Sequence, residues 1–387
     1  MRTFCLDNMK IGIDARLINE TGVGRYIRNL IEQLGKLDDK NQYVVFLPRD
    51  AFDSFVLPNK RWQKRLADVR WHSVREQVIM PILFLREKLD LVHIPYFNVP
   101  ILYPKPFVVT IHDLTILHFN TGRATTLPWV FYKVRRLGYW LVHAVGLARA
   151  KKILTVSNAT KQELKDHFHI DHSKIVVTHE GVDNKLRTQK TELNDQKRTI
   201  AEPYFLYVGN AYPHKDLGTL VRAFRQATED KEQETRKTKL ILVGKDDFFY
   251  RRLREEVNGM KIAPNVVFFG EADDTELSNL YTHAIALVFP SRMEGFGLPA
   301  IEALALGCPV IVTDIPAFRE ILRDMATFFP IGDADALAKL LVNALEGGLV
   351  KPTTEKTTPL LSSFQWPVLA RATLDTYEDC LGVRSGN

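Results

Sequence analysis

Residues Ala284–Ile315 read AIALVFPSRMEGFGLPAIEALALGCPVIVTDI. The apolar opening, Ala284 to Phe289, is too short for a helix and is closed by Pro290 and Ser291, which predicts a buried strand. Glu294-Gly295-Phe296-Gly297 follows, a loop whose glycines let backbone approach a ligand. Pro299 suits the first turn of a helix, and Gly307 suits the position just past its end. Cys308 to Thr313 predicts a second buried strand. Strand, glycine loop, helix and strand together make the unit of a parallel α/β sheet. Ligands of such sheets bind beyond the carboxyl ends of the strands. Glu294 then lies in the ligand loop, and Glu302 in the first turn or so of the helix.

Two carboxylates beside a run of free amides suit a sugar nucleotide. The amides and the positive helix end attract a diphosphate. A carboxylate accepts charge-strengthened hydrogen bonds from vicinal hydroxyls, which ribose and hexose both offer. The spacing fits equally a solvated helix-start glutamate and glycines that only turn the chain.

Three further stretches carry the same kind of chemistry. Lys10 to Ala15 predicts a first strand, followed by Thr21-Gly22-Val23-Gly24-Arg25-Tyr26 and a helical pattern through Leu34. The third glycine of a dinucleotide fingerprint is missing. Phe107 to Ile111 predicts a strand ending at His112-Asp113. Tyr204 to Val208 predicts a strand running into Gly209-Asn210-Ala211-Tyr212-Pro213-His214-Lys215-Asp216, where Lys215 can act as a point charge for a diphosphate.

Together these stretches resemble the retaining glycosyltransferases of the GT-B fold, family 4 (glycosyltransferase group 1). The mark of that family is two glutamates with seven residues between them, the first followed by Gly-Phe-Gly; here they are Glu294 and Glu302. The resemblance spans nearly the whole chain. It implies two Rossmann-like parallel α/β domains facing a central cleft. The acceptor-side domain is expected over 1–183, with a returning helix at 363–387, a linker at 184–202, and a nucleotide-sugar domain over 203–362. Asp333 and Asp335 look like a metal-binding pair, but they precede a helical pattern and read better as its cap.

The resemblance also implies roles. His112, Lys215 and Glu294 are the expected catalytic residues. The expected donor-binding set is Gly22, Gly24, Gly209, Asn210, Lys215, Glu294, Gly295, Phe296, Gly297, Leu298 and Glu302. Many members carry an arginine where this chain has Asn210, which leaves more of the phosphate charge to Lys215. No metal and no cofactor are expected beyond the donor. The expected reaction moves a hexose to a glycan or lipid-linked saccharide in polysaccharide biosynthesis. The phrases Thr110–Leu114, Thr21–Tyr26 and Glu76-Gln77 look like bacterial polysaccharide mannosyltransferases, so GDP-mannose is the expected donor. A UDP-hexose or UDP-N-acetylhexosamine is the alternative. A nucleotide-sugar epimerase and a non-catalytic sugar-binding protein are readings from other classes.

Length and composition agree with a globular protein of two domains with a sizeable core. The chain has 387 residues, 45% hydrophobic and 25% charged, with net charge +6. The basic balance suits anionic partners. No apolar run reaches the roughly 18 residues of a membrane span. The first residues lack the apolar core of a signal peptide, and Met9 is a second candidate start. Cys5, Cys308 and Cys380 show neither metal nor disulfide spacing. A cytoplasmic protein is expected, without nucleic-acid partners. Between Asp113 and Glu163 there is no acidic residue. A helix is predicted over Leu127–Ala150, with Val130, Val134, Leu137, Leu141, Val145 and Ala148 on the sheet. Trp129, Lys133, Arg136, Trp140 and His143 fall on another face, and the basic and aromatic residues there suit the inner face of the plasma membrane. The Lys- and Arg-rich segment Asn59–Arg75 reads as an exposed loop.

Overall fold

The computed structural model describes residues 8–118, 129–182, 198–229, 237–260 and 262–382. The chain divides into two compact units. One comprises Met1–Leu114, Thr126–Gly181 and Gln365–Asn387; the other comprises Thr115–Thr125 and Val182–Phe364.

The first unit is built on seven parallel strands: β1 (Lys10–Asp14), β2 (Gln42–Leu47), β3 (Trp62–Leu66), β4 (Leu91–Ile94), β5 (Phe107–Ile111), β6 (Lys152–Thr155) and β7 (Ile175–Val177). Their order is β3-β2-β1-β4-β5-β6-β7. The direction of winding reverses between β1 and β4. Strands β4 and β5 are buried along their whole length, as expected of a parallel sheet covered on both faces.

The second unit repeats the plan with six strands: β8 (Tyr204–Val208), β9 (Lys239–Val243), β10 (Val266–Gly270), β11 (Ala286–Phe289), β12 (Val310–Thr313) and β13 (Thr327–Phe329). The order is β10-β9-β8-β11-β12-β13, again all parallel, and here the reversal falls between β8 and β11. Both units are therefore Rossmann-like α/β layers. The loops that leave the paired strands at each reversal are the places where such a sheet accepts a ligand.

Two expectations need correcting. Asn59–Arg75 is not a loop throughout, because β3 lies within it and pairs with β2. The helix Trp129–Arg149 does not turn its predicted apolar stripe wholly inward. Leu141 is 48% exposed and Ala148 is exposed, while His143, Gly146 and Leu147 are buried. A Cβ on Gly146 would lie 3.0 Å from Val99 Cβ, so the helix packs closely on this small-residue face. The Phe97 and His143 rings stand 4.5 Å apart beneath it. The side chains of Trp129, Lys133 and Arg136 lie outside the described residues.

Candidate active site

In the second unit, the loops after β8 and β11 bring Lys215 and Glu294 together. Lys215 Nζ stands 2.5 Å from Glu294 Oε1, and both side chains are largely buried. Ser291 Oγ donates to the same oxygen at 2.7 Å. Thr313 Oγ1, at the end of β12, donates to the Ser291 carbonyl and fixes the serine. The ammonium also lies 5.3 Å above the centre of the Phe289 ring, a favourable cation–π placement. Both bonds to Glu294 use Oε1; a ligand hydroxyl needs only Oε2.

Backbone contacts tie the two loops as well. Arg292 N donates to the His214 carbonyl at 2.8 Å, and Arg292 Nε pairs with Asp216 Oδ2 at 2.9 Å. Gly209 has φ +150°, and a Cβ there would stand 2.9 Å from Tyr207 Oη. Gly244 lies so close to the Gly209 carbonyl that a Cβ would meet it at 2.1 Å. Only glycine permits that approach. Tyr207 Oη donates to the Asn210 carbonyl at 2.6 Å, which holds the loop by its backbone.

The helix Leu298–Ala305 begins at Gly297, whose φ is +90° and whose Cβ position is blocked by Phe318 at 2.7 Å. Leu298 is buried, and Phe296 packs edge-on against Phe364 at 5.4 Å, so both brace the loop. Gly295 lies between Glu294 and Phe296 in the same loop. Glu302 is the fifth residue of the helix, beyond the first turn, and is only 3% exposed. Tyr281 Oη donates to its Oε2 at 3.3 Å. That burial removes the reading of Glu302 as a solvated helix-start glutamate.

In the first unit, the strand ends carry a different arrangement. Arg16, just past β1, pairs with Asp14 Oδ2 and with Glu76 Oε1, each at 2.6 Å. Glu76 also accepts from the His72 backbone N–H at 2.8 Å and from Asn98 Nδ2. Burial raises the Glu76 carboxyl above its ordinary range, and Arg16 offsets this only in part. Burial opposes the Arg16 charge, but Asp14 and Glu76 outweigh it and push its pKa up. This network was not singled out in the sequence, because Arg16 and Glu76 are distant along the chain.

His112 sits just beyond β5. Its Nδ1 is 3.2 Å from Glu180 Oε1, and its Nε2 is 3.1 Å from the Pro95 carbonyl. The Tyr26 ring meets it edge-on at 4.8 Å. Behind it, His93 Nδ1 bonds Tyr377 Oη at 2.6 Å and its Nε2 bonds Thr110 Oγ1 at 2.7 Å. Burial, with the neighbouring His112 charge, pushes the His93 pKa down to about 3. Gly22 opens the helix Gly22–Leu37 with no atom within 4 Å of its Cβ position. Gly24 is needed for packing, since a Cβ would lie 2.5 Å from the Ile18 carbonyl.

Residues 21–186 match the model described as Glycosyltransferase Family 4, and residues 189–357 match Glycosyl transferases group 1. The chain belongs to the family 4, group 1 glycosyltransferases. It is 29% identical over 274 residues to the O-antigen chain mannosyltransferase RfbU of Salmonella typhimurium, covering 70% of each chain. It is 26% identical over 383 residues to O-antigen chain mannosyltransferase B of Escherichia coli, covering 92% of this chain and 96% of that one. Among solved structures, Anabaena HepE in complex with UDP and glucose superposes with a TM-score of 0.72. It covers 96% of this chain and 99% of its own, at 15% identity, and so shows the GT-B fold. This glycosyltransferase uses a nucleotide sugar and a glycan or lipid acceptor.

Proposed function

We propose that this glycosyltransferase moves a hexose with retention at the anomeric carbon, using Lys215 and Glu294 as the centre of its donor site. The observation that carries this is their meeting, with Ser291, at the strand reversal of the second unit. Breaking the bond to the diphosphate builds negative charge on the leaving group. Lys215 and the amides that open the helix Leu298–Ala305 would stabilise that charge. Glu294 would hold donor hydroxyls and Glu302 the nucleotide ribose. Gly209, Asn210 and Gly295 would let the donor approach backbone. Gly22 would let the donor approach backbone as well, and His112 would act on the sugar. The departing phosphate would take the acceptor's proton, so no protein nucleophile is assigned.

The donor is a nucleotide sugar, for which GDP-mannose and the UDP sugars are the two candidates. Sequence relatives named as mannosyltransferases favour mannose, while the fold neighbour HepE binds UDP and glucose. A thermal-shift panel of GDP-mannose, UDP-glucose and UDP-N-acetylglucosamine separates them. A donor at 100 times its dissociation constant stabilises by about 2.7 kcal/mol. A shift with UDP sugars and none with GDP-mannose would overturn the mannose reading.

We also propose peripheral contact with an anionic bilayer, and the helix Val74–Arg86 now favours it. Val74, Val78, Ile82 and Leu85 recur on one face and are all exposed, Val74 at 87%. The one acidic residue of that helix, Glu76, is turned inward to Arg16. Arg75 and Arg86 are exposed, and so is Lys88 just beyond the helix. An apolar stripe with basic neighbours matches a surface of acidic headgroups. Among the described residues, no helix is long and apolar enough to cross a membrane. Vesicles of anionic lipid should sediment the wild type, less at high salt. Val78→Glu with Ile82→Glu should release it while leaving the thermal midpoint unchanged.

A further inference from the structure

We infer that Glu180 is the positioning residue for His112, holding the imidazole in place and sharing one proton with it. The inference rests on His112 acting on the donor sugar, as proposed above. Glu180 follows β7 and His112 follows β5, the two strands that flank β6. Both side chains are thus delivered to the same end of one sheet. Glu180 is buried, and its Oε1 lies 3.2 Å from His112 Nδ1. The other ring nitrogen, Nε2, lies 3.1 Å from the Pro95 carbonyl.

The partners decide where the protons are. A carbonyl oxygen only accepts, so Nε2 carries a proton and donates it to Pro95. Nδ1 faces a carboxyl oxygen, and one proton must lie between them. It belongs either to an imidazolium beside a carboxylate or to a carboxylic acid beside a neutral ring. The pair is neutral overall in both forms, which is how two titratable groups can share a buried place. Three directions fix the ring: Glu180 at Nδ1, Pro95 at Nε2, and Tyr26 edge-on with an interplanar angle of 88°. Tyr26 is itself held by Thr110 Oγ1 at 3.1 Å. A buried ion pair is weak evidence for stability. His112 Nε2 meets Pro95 in the loop that leaves β4 at the strand reversal, where such a sheet accepts a ligand, and Glu180 is joined to that place through His112 Nδ1.

The test is a double-mutant cycle of Glu180→Gln and His112→Ala, read as turnover of the donor chosen by the thermal-shift panel. GDP and UDP affinities serve as the second readout. Glu180→Gln should lower kcat at least tenfold and leave diphosphate affinity within twofold. In the His112→Ala background it should cause no further loss, because its partner is gone. Glu180→Asp should recover part of the rate. Losses that multiply independently, or a fully active Glu180→Gln beside an inactive His112→Ala, would overturn the role of Glu180. A fully active His112→Ala would instead overturn the reading of His112. Should Glu180→Gln fail to fold, nitrogen NMR of the wild-type imidazole decides, with signals assigned through His112→Gln. An exchange-protected proton at each ring nitrogen, or one shared proton at Nδ1, supports the pair; an unprotonated Nδ1 without coupling to a carboxyl overturns it.

Discussion

The two sheets share one winding plan but finish their strand ends differently. In the first unit the charged groups past β1 answer one another: Arg16 is clasped by Asp14 and Glu76, and Glu76 by His72 and Asn98. In the second unit Lys215 and Glu294 meet through one carboxylate oxygen at the mouth of two glycine-bearing loops. The difference teaches what the same architecture can be used for. A closed charge network fixes backbone, whereas a pair with unspent hydrogen-bonding capacity can exchange its partner for a ligand. Removing a charge from the first should be felt in folding; removing one from the second should be felt in binding.

The sharpest contrast comes from Arg16→Ala. It leaves Asp14 and Glu76 facing each other without their cation, and breaking a buried pair costs about 3–5 kcal/mol. The denaturation midpoint should fall steeply, and an unchanged midpoint would break the comparison. Lys215→Ala should shift the balance. The midpoint should fall less than for Arg16→Ala, because Glu294 is less buried and keeps its bond from Ser291, while nucleoside-diphosphate affinity and turnover fall by roughly 1.5–3 kcal/mol, the worth of a charged hydrogen bond. Calorimetric titration with GDP and UDP measures this, and undiminished affinity would leave Lys215 only the structural partner of Glu294. Glu294→Gln keeps shape and loses charge. It should lower turnover by about 1.5 kcal/mol, or roughly tenfold, with diphosphate affinity largely retained.

The smallest effect belongs to Glu163, on the helix Asn158–Phe168. Burial, with Asp113 and Asp166 nearby, raises its carboxyl from 4.5 to about 7. The folded chain therefore keeps a proton that the unfolded chain releases, so stability declines as pH rises from about 4.5 through about 7. Glu163→Gln should remove that decline. Because the side chain is partly screened by water, the gain at pH 8 should be about 1 kcal/mol or less, and smaller still at pH 5. Thermal melts at the two values check it; an equal gain at both would reject the linkage.

Legibility followed the range of the interactions. The glycine loop after β11 could be read because its signals are local: an apolar run, a glycine turn, a proline-started helix. The cap at Asp333 was local too, and its carboxylate accepts from Ala336 N at 2.9 Å. Strand β3 was hidden by its charges. As an edge strand it carries Lys64 and Arg65, which satisfy the Phe52 carbonyl at 2.6 Å and Glu87 at 2.5 Å. Such charges protect an edge and look like a loop in sequence. The helices Phe248–Gly259, Pro316–Leu322 and Thr354–Leu361, and strand β13, were not read either. The inward face of Trp129–Arg149 was missed because a histidine and a glycine occupy it, where close approach to Val99 outweighs hydrophobicity. Asp216, Arg292 and Glu180 could not be read as site residues because each matters through a partner far along the chain. Ser291 lies only three residues from Glu294, but its place beside the carboxylate depends on Thr313.

The helix Trp366–Leu381 packs with the first unit, against the helix Gly22–Leu37, although nearly the whole second unit precedes it in the chain. Gly181 touches its start so closely that a Cβ would lie 2.3 Å from the Trp366 backbone nitrogen. Its Tyr377 supplies the hydroxyl that satisfies the buried His93. On the ribosome, then, the half of the enzyme that emerges first is the half that finishes last. The nascent sheet must wait with His93 short of one partner until the second unit has been made. A stop codon placed before Trp366 would thus strike the earliest-synthesised part of the molecule.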